Sequence, residues 1–227
     1  MEVKQIGAGT WEEIRDRLRV RLMDTGSCRE TLRRCVSEPV GCGFALAAYV
    51  ELPEEQFGKD RIANVPAALA EAPGFSERKI LKEAVDRSAA AEGARLCSVR
   101  DFLFGGEPGN MLDRGGEVPE DVPLLVLTTR SGVLGAAALF YPEVQERIAE
   151  ILGGDYFVLP SSVHEVLIHP VDGEHTAEDL AAIVREVNEQ VSPAERLGNR
   201  VLRYRADLDL LLVAADLDRE RDPERGR

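Results

Sequence analysis

Residues 124–170, LLVLTTRSGVLGAAALFYPEVQERIAEILGGDYFVLPSSVHEVLIHP, constrain the fold of this chain more than any other stretch. An apolar run at 124–129 ends in Arg130-Ser131-Gly132, where the glycine supplies the positive φ of a tight hairpin turn. That turn predicts a second strand over 133–141, although Gly135 and three consecutive alanines are weak strand formers. Pro142 has a fixed φ and no N–H and disfavours helix at Tyr141, so it suits the first position of a helix. The helix is expected over 143–152, with Val144, Ile148, Ile151 and Leu152 on one face and Gly153-Gly154 as its stop. Residues 156–159 and 163–168 predict two more strands, joined across Pro160-Ser161-Ser162.

Upstream, Thr10 and Glu13 have the spacing of a capping box, and Trp11, Ile14, Leu18 and Leu22 recur at helical intervals. They predict an amphipathic helix to Met23, with Arg15, Arg17, Arg19 and Arg21 on its solvated face. Gly26, Pro39, Gly41 and Gly43 predict irregular structure around a short element at 29–36. Strands are expected at 44–51 and 61–65, then a helix opened by Pro66 and closed by Pro73, then a Ser76-capped helix burying Ile80, Leu81, Ala84 and Val85. The order hairpin, proline, helix echoes 124–152, a faint internal duplication. A short strand and a helical turn at 94–104 precede residues 105–121, whose five glycines and two prolines read as a linker. Beyond the central stretch, Thr176 caps a helix over 177–191 with Leu180, Ile183, Val184 and Val187 as its buried stripe. A last hairpin pairs 201–205 with 210–213.

The chain therefore divides into an N-terminal helix and irregular segment (1–43), a first αβ unit (44–104), the linker (105–121), a second αβ unit (122–213) and a disordered charged tail (214–227). The expected fold class is α+β, two hairpin-plus-helix units forming antiparallel sheet with helices packed on one face.

Charge narrows the function classes. With 28 basic against 41 acidic residues and a net charge of −13, binding to nucleic-acid phosphates or anionic membranes is opposed. The longest apolar run, 133–141, falls far short of the ~20 residues that span a bilayer. The first residues show no basic segment ahead of an apolar core, so a soluble cytoplasmic protein with reduced thiols is expected. Cys28, Cys35 and Cys42 recur every seven residues, but Pro39 interrupts any continuous helix and no CxxC pair is present, so no thiolate metal site is expected.

One constellation carries the residue types of nucleophilic catalysis: Ser161, Ser162, His164 and Glu165. On a strand His164 and Glu165 would point to opposite faces, and no GxSxG elbow exposes a serine. The structural reading is that both serines satisfy backbone donors in a turn and that a His or Glu at the strand's start hydrogen-bonds across to a neighbouring strand. As a site, the group would include Asn188 and Glu189 of the following helix. His164, His169 and His175 are the only histidines. With Asp172 or Glu174 they meet no recognised ligand spacing, so no metal is expected. GxxxxGK and GxGxxG are both absent, so no nucleotide cofactor is expected.

The segments LVLT, GAAALFY, FVLPSSVHEVLIHP, VREVN and SPAERLGNRVLRY together resemble an uncharacterised family of bacterial proteins, mostly from gut anaerobes, known only as a domain of unknown function. The resemblance spans 44–204 and is most specific at 159–166, LPSSVHEV. It implies no activity, substrate or cofactor. Relatives carry a longer tyrosine- and acid-rich segment where residues 24–43 stand here.

The functional expectation is a non-enzymatic cytoplasmic protein that binds a partner protein or a small ligand, with Ser161, Ser162, His164, Asn188 and Glu189 as binding candidates. A sheet edge or the arginine face of the first helix would serve a partner. The alternative is a hydrolase-like enzyme using Ser161 or Ser162 with His164. A metal-binding module is the third class.

Overall fold

A computed structural model describes residues 11–58, 61–71, 74–104, 109–113 and 124–216. Thr10 of the expected capping box, Pro73, most of the linker and the tail beyond Asp216 lie outside these residues.

Leu18, Val20 and Leu22 are buried and alternate with half-buried Arg19 and Arg21, the period of a strand with one face inward. The helix expected to reach Met23 therefore stops early: α1 spans Trp11–Asp16 and β1 spans Leu18–Asp24. β1 pairs antiparallel with β3 (Phe44–Glu51) from Leu18↔Val50 to Asp24↔Phe44. The expected arginine face of a helix is not formed. Arg19 pairs with Glu51 at 3.1 Å, Arg21 donates to Asn64 at 2.8 Å, and Arg15 meets Glu83 at 2.7 Å. The stretch 24–43 is more regular than its glycines suggest, holding α2 (Arg29–Leu32) and β2 (Ser37–Gly41). After the short α3 (Glu54–Phe57), β4 (Ile62–Asn64) shares with β2 the second edge of β3. A 3-10 helix at Ala67–Glu71 leads to α4 (Glu77–Ala91), whose cap is the expected one, Ser76 accepting the Lys79 N–H. Ile80, Leu81 and Ala84 of α4 pack on the sheet, and buried Ser88 accepts the Val20 N–H at 2.9 Å, satisfying the outer edge of β1.

The second half is a six-stranded antiparallel sheet in the order β10-β9-β7-β8-β6-β5. Its strands are β5 (Ala94–Ser98), β6 (Leu125–Thr129), β7 (Tyr156–Leu159), β8 (Val166–Pro170), β9 (Arg200–Arg205) and β10 (Leu210–Asp216). Between them stand α5 (Val99–Phe104), α6 (Val144–Leu152) and α7 (Ala177–Asn188). The fold class is thus α+β with antiparallel sheets. Tyr156 and Val158 of β7 face the core shared with the first sheet, while Phe157 and Leu159 face α7. The α7 stripe is rotated from the expected one: Leu180, Ala181, Val184 and Asn188 are buried, whereas Ile183 and Val187 are 51% and 44% exposed.

The strand expected over 133–141 is replaced. Gly132 does take φ +70°, but Leu134 follows in the left-handed region at φ 52° and Gly135–Phe140 forms a 3-10 helix. The cause is the run of small side chains. Ala136, Ala137 and Ala138 are fully buried, letting this helix wedge between β1 of one sheet and β5 and β6 of the other. β6 finds its partners in β5 and β8 instead. The strand expected at 163–168 begins only at Val166, because 161–165 form a turn.

A single buried cluster runs through both sheets, from Leu18 and Phe44 to Leu125, Ile168 and Tyr204. Arg200 pins the same junction. Its Nη2 donates to Asp24 Oδ2 at 2.7 Å, its Nη1 donates to the Cys42 carbonyl at 3.0 Å, and its guanidinium lies 5.0 Å over the Phe44 ring. The close fit needs Gly43, where a Cβ would come within 1.8 Å of Arg200 Nη1.

Two stability measurements follow from this packing. A Cβ on Gly135 would lie 2.3 Å from Thr128 Oγ1 and 2.6 Å from both the His164 carbonyl and the Thr129 nitrogen. Urea unfolding of Gly135→Ala is expected to show a loss of about 3 kcal/mol, against under about 0.5 kcal/mol for Gly154→Ala, whose Cβ meets open space. Arg200→Ala leaves Asp24 buried and uncompensated and is expected to cost about 3–5 kcal/mol, while the half-buried Arg203 tolerates the same change with a loss of about 1 kcal/mol or less.

Candidate functional site

The LPSSVHEV segment crosses from β7 to β8 as a turn that its own polar groups close. Ser161 and Ser162 both donate to Glu165 Oε1, at 3.0 and 2.7 Å, and Ser162 Oγ accepts the His164 N–H at 3.0 Å. The backbone is tied outward on three sides. Val163 N–H donates to the Glu195 carbonyl at 2.9 Å, the Val163 carbonyl accepts from Ala136 at 3.2 Å, and the His164 carbonyl accepts from Thr128 Oγ1 at 2.8 Å. The segment is therefore a joint between β6, the buried 3-10 helix and the loop after α7.

The His164 ring is held from both ends. Its Nδ1 accepts the Leu134 N–H at 3.2 Å, and its Nε2 faces Glu195 Oε1 at 3.7 Å. A backbone N–H can only donate, so Nδ1 is the bare nitrogen and Nε2 carries the hydrogen. The ring presents a donor to its surroundings. It offers no lone pair with which to take a proton from either serine.

Beside His164 lies a cleft of about 200 Å³ at the junction of the two sheets. One wall is Arg21, Met23 and Asp24 of β1 with Cys28; the other is Leu134, Val163 and His164 with Glu195 and Arg196. Arg196 holds its own loop, donating from Nε to the Val191 carbonyl at 2.8 Å. Asp24 accepts from Ser27 as well as Arg200, so the wall is rigid. Larger, more open hollows beside α6 and α4 are lined by none of Ser161, Ser162, His164, Glu165, Asn188 and Glu189.

Asn188 and Glu189 lie at the end of α7. Asn188 is buried, with Nδ2 donating to the Gly198 carbonyl and to Asn199 Oδ1, both at 3.0 Å. The Glu189 side chain is exposed, and its carbonyl accepts from Arg196. Both tie helix to loop rather than line the cleft. Of the histidines, His164 stands alone at the cleft, while His169 and His175 gather with Asp172 at the C-terminal end of β8. The residues that sequence reasoning missed are Leu134, Glu195, Arg196 and the β1 wall. Each is distant from 161–165 along the chain, and only the folded topology brings them together.

The model of a family described as a family of unknown function (DUF5688) matches residues 2–206. No curated protein and no solved structure is similar to the chain.

The four thiols are free and differ in environment. Cys35 and Cys97 are buried, and desolvation raises their pKa above the ordinary 9.0. Alkylation of the native protein is expected to label the partly exposed Cys28 first and to reach Cys35 and Cys97 only on unfolding, as peptide mass mapping would show. Because the folded state holds these thiols protonated, their contribution to stability is full below the unfolded value and is lost as pH rises through the raised folded value. Urea midpoints are therefore expected to fall on the alkaline side of that range.

Proposed function

The chain belongs to the DUF5688 family, and we propose that it is a non-enzymatic cytoplasmic protein whose inter-sheet cleft receives a small ligand or one side chain of a partner protein. The observation that carries this reading is the engagement of the motif's own groups. Both serine hydroxyls donate to Glu165, and the basic lone pair of His164 accepts the Leu134 N–H. That arrangement supports a joint with a binding cleft beside it and opposes the hydrolase alternative on Ser161 or Ser162 with His164.

Size and charge describe the occupant. About 200 Å³ lies below the ~300–1,000 Å³ typical of drug-sized ligand pockets and suits a single amino-acid-sized group. The rim offers donors from Arg196 and His164 Nε2 and an acceptor from Glu195, which fits a small polar group carrying both functions. A cytoplasmic setting is supported by the free thiols, and among the described residues no helix is long and apolar enough to cross a membrane. The net charge of −13 argues against nucleic acid as partner.

The reading is tested by titrating the ¹⁵N-labelled full chain with a library of small zwitterionic and carboxylate fragments. Shifts are expected to cluster at Leu134, His164, Glu195 and Arg196, and Glu195→Gln should weaken the best fragment by about tenfold, the ~1.4 kcal/mol of one lost charged contact. Hydrolysis of a chromogenic ester that Ser161→Ala or Ser162→Ala abolishes would overturn it in favour of the enzyme.

A further inference from the structure

At the other end of β8 the chain gathers a second set of chemistry-bearing side chains, which no part of the cleft reading uses. His169 is the penultimate residue of β8, 5% exposed, and pairs with Phe157 on β7. Its Nδ1 lies 2.5 Å from the Pro170 carbonyl. A carbonyl oxygen only accepts, so Nδ1 carries the hydrogen, and in the neutral ring Nε2 is a bare lone pair. That lone pair faces Asp172 Oδ2 at 3.8 Å. Two acceptors are thus turned toward each other at a buried ring, an arrangement that calls for a cation between them. His175 completes the group, with Nδ1 3.2 Å from the same Asp172 oxygen and its ring 5.0 Å from that of His169.

We propose that His169 Nε2, Asp172 Oδ2 and His175 Nδ1 form a binding site for a divalent transition-metal ion of the zinc type, with one coordination position left open to solvent.

Three observations carry the proposal. First, ligand atoms around a tetrahedral ion bound at 2.0–2.2 Å stand roughly 3.3 Å apart. The separations of 3.2 and 3.8 Å bracket that spacing, and one ligand atom from each residue lies within 4.8 Å of the others. Second, the supporting contacts are those that orient ligands. The Nδ1–H bond of His169 to a carbonyl fixes the tautomer that frees Nε2. Asp172 Oδ1 accepts the N–H groups of Glu174 and His175 at 2.8 and 3.3 Å, leaving Oδ2 for the ion. Third, the scaffold is stiff on both sides: a central strand ends at Pro170, and the capping box between Thr176 and Asp179 opens α7. Two imidazoles and one carboxylate favour zinc and its late first-row neighbours over magnesium or calcium, which take oxygen ligands. Asp172 and His175 stay partly exposed, so a fourth position faces water.

The test uses the full chain stripped with a chelator and titrated calorimetrically with Zn²⁺ and, separately, Mg²⁺, with Co²⁺ as an optical probe. One equivalent of Zn²⁺ is expected to bind and to raise the thermal midpoint, with no response to Mg²⁺ and no thiolate charge-transfer band from Co²⁺. Asp172→Asn and His175→Ala, both at exposed positions where the fold survives, should each weaken Zn²⁺ binding by at least about tenfold and remove the thermal shift. No Zn²⁺ binding would overturn the proposal. Binding that survives both substitutions, or that shows the thiolate band, would overturn it in favour of the cysteines. Neither result bears on the cleft, which shares none of these residues.

Discussion

The close approach of the Gly135 backbone to β6 and to the 161–165 turn is the constraint on which the rest of the structure depends. The glycine leaves room for Thr128 Oγ1 to reach the His164 carbonyl at 2.8 Å, and the alanines after it fill the seam between the two sheets without forcing them apart. Leu134 is held in the left-handed region to make this possible, at a cost of roughly 1–2 kcal/mol. Its N–H bond to His164, worth about 1 kcal/mol, offsets most of that strain. Burial of Ala136 to Leu139 stabilises the remainder. The junction therefore fixes the histidine ring, and the ring in turn reports the state of the junction.

Much of this architecture was legible in the sequence. The α+β class, the caps at Ser76 and Thr176, the helix after Pro142 and the final hairpin all follow from local signals that tertiary contacts reinforce. Two failures share one cause, the choice of period. At 17–22 arginines and apolar residues alternate strictly, yet Trp11, Ile14, Leu18 and Leu22 also match a helix; pairing with β3 decided for the strand. At 133–141 the glycine turn favoured a hairpin, but three alanines fit a buried 3-10 helix better than a strand face. Neither outcome can be read from a single window, because each depends on a partner element far along the chain.

The site was legible only in part. Ser161, Ser162, His164 and Glu165 stood out by residue type; both hydroxyls donate to the Glu165 carboxylate, and Ser162 also accepts the His164 N–H. What could not be seen was the other wall. Leu134, Glu195, Arg196 and β1 reach His164 through sheet topology alone. The His169, Asp172 and His175 group was visible as residue types with no familiar spacing; the bend at Gly173, φ +81°, turns a spacing of two intervening residues into a cluster. In both places geometry rather than composition assigns chemistry, with donors facing a cleft at one end of β8 and ligands facing a common point at the other.

If LPSSVHEV is a joint beside a binding cleft and not a catalytic centre, the hydrogen of the His164 ring sits on Nε2, facing the cleft, and Nδ1 is spent on the Leu134 N–H. The most direct test is the side-chain ¹⁵N spectrum of His164 in the native full chain, assigned by loss of its signals in His164→Gln. The Leu134–His164 geometry predicts hydrogen on Nε2 and a bare Nδ1 coupled to the Leu134 amide. Hydrogen on Nδ1, with Nε2 bare and sensitive to Ser161→Ala or Ser162→Ala, would contradict it and restore a general base to the motif.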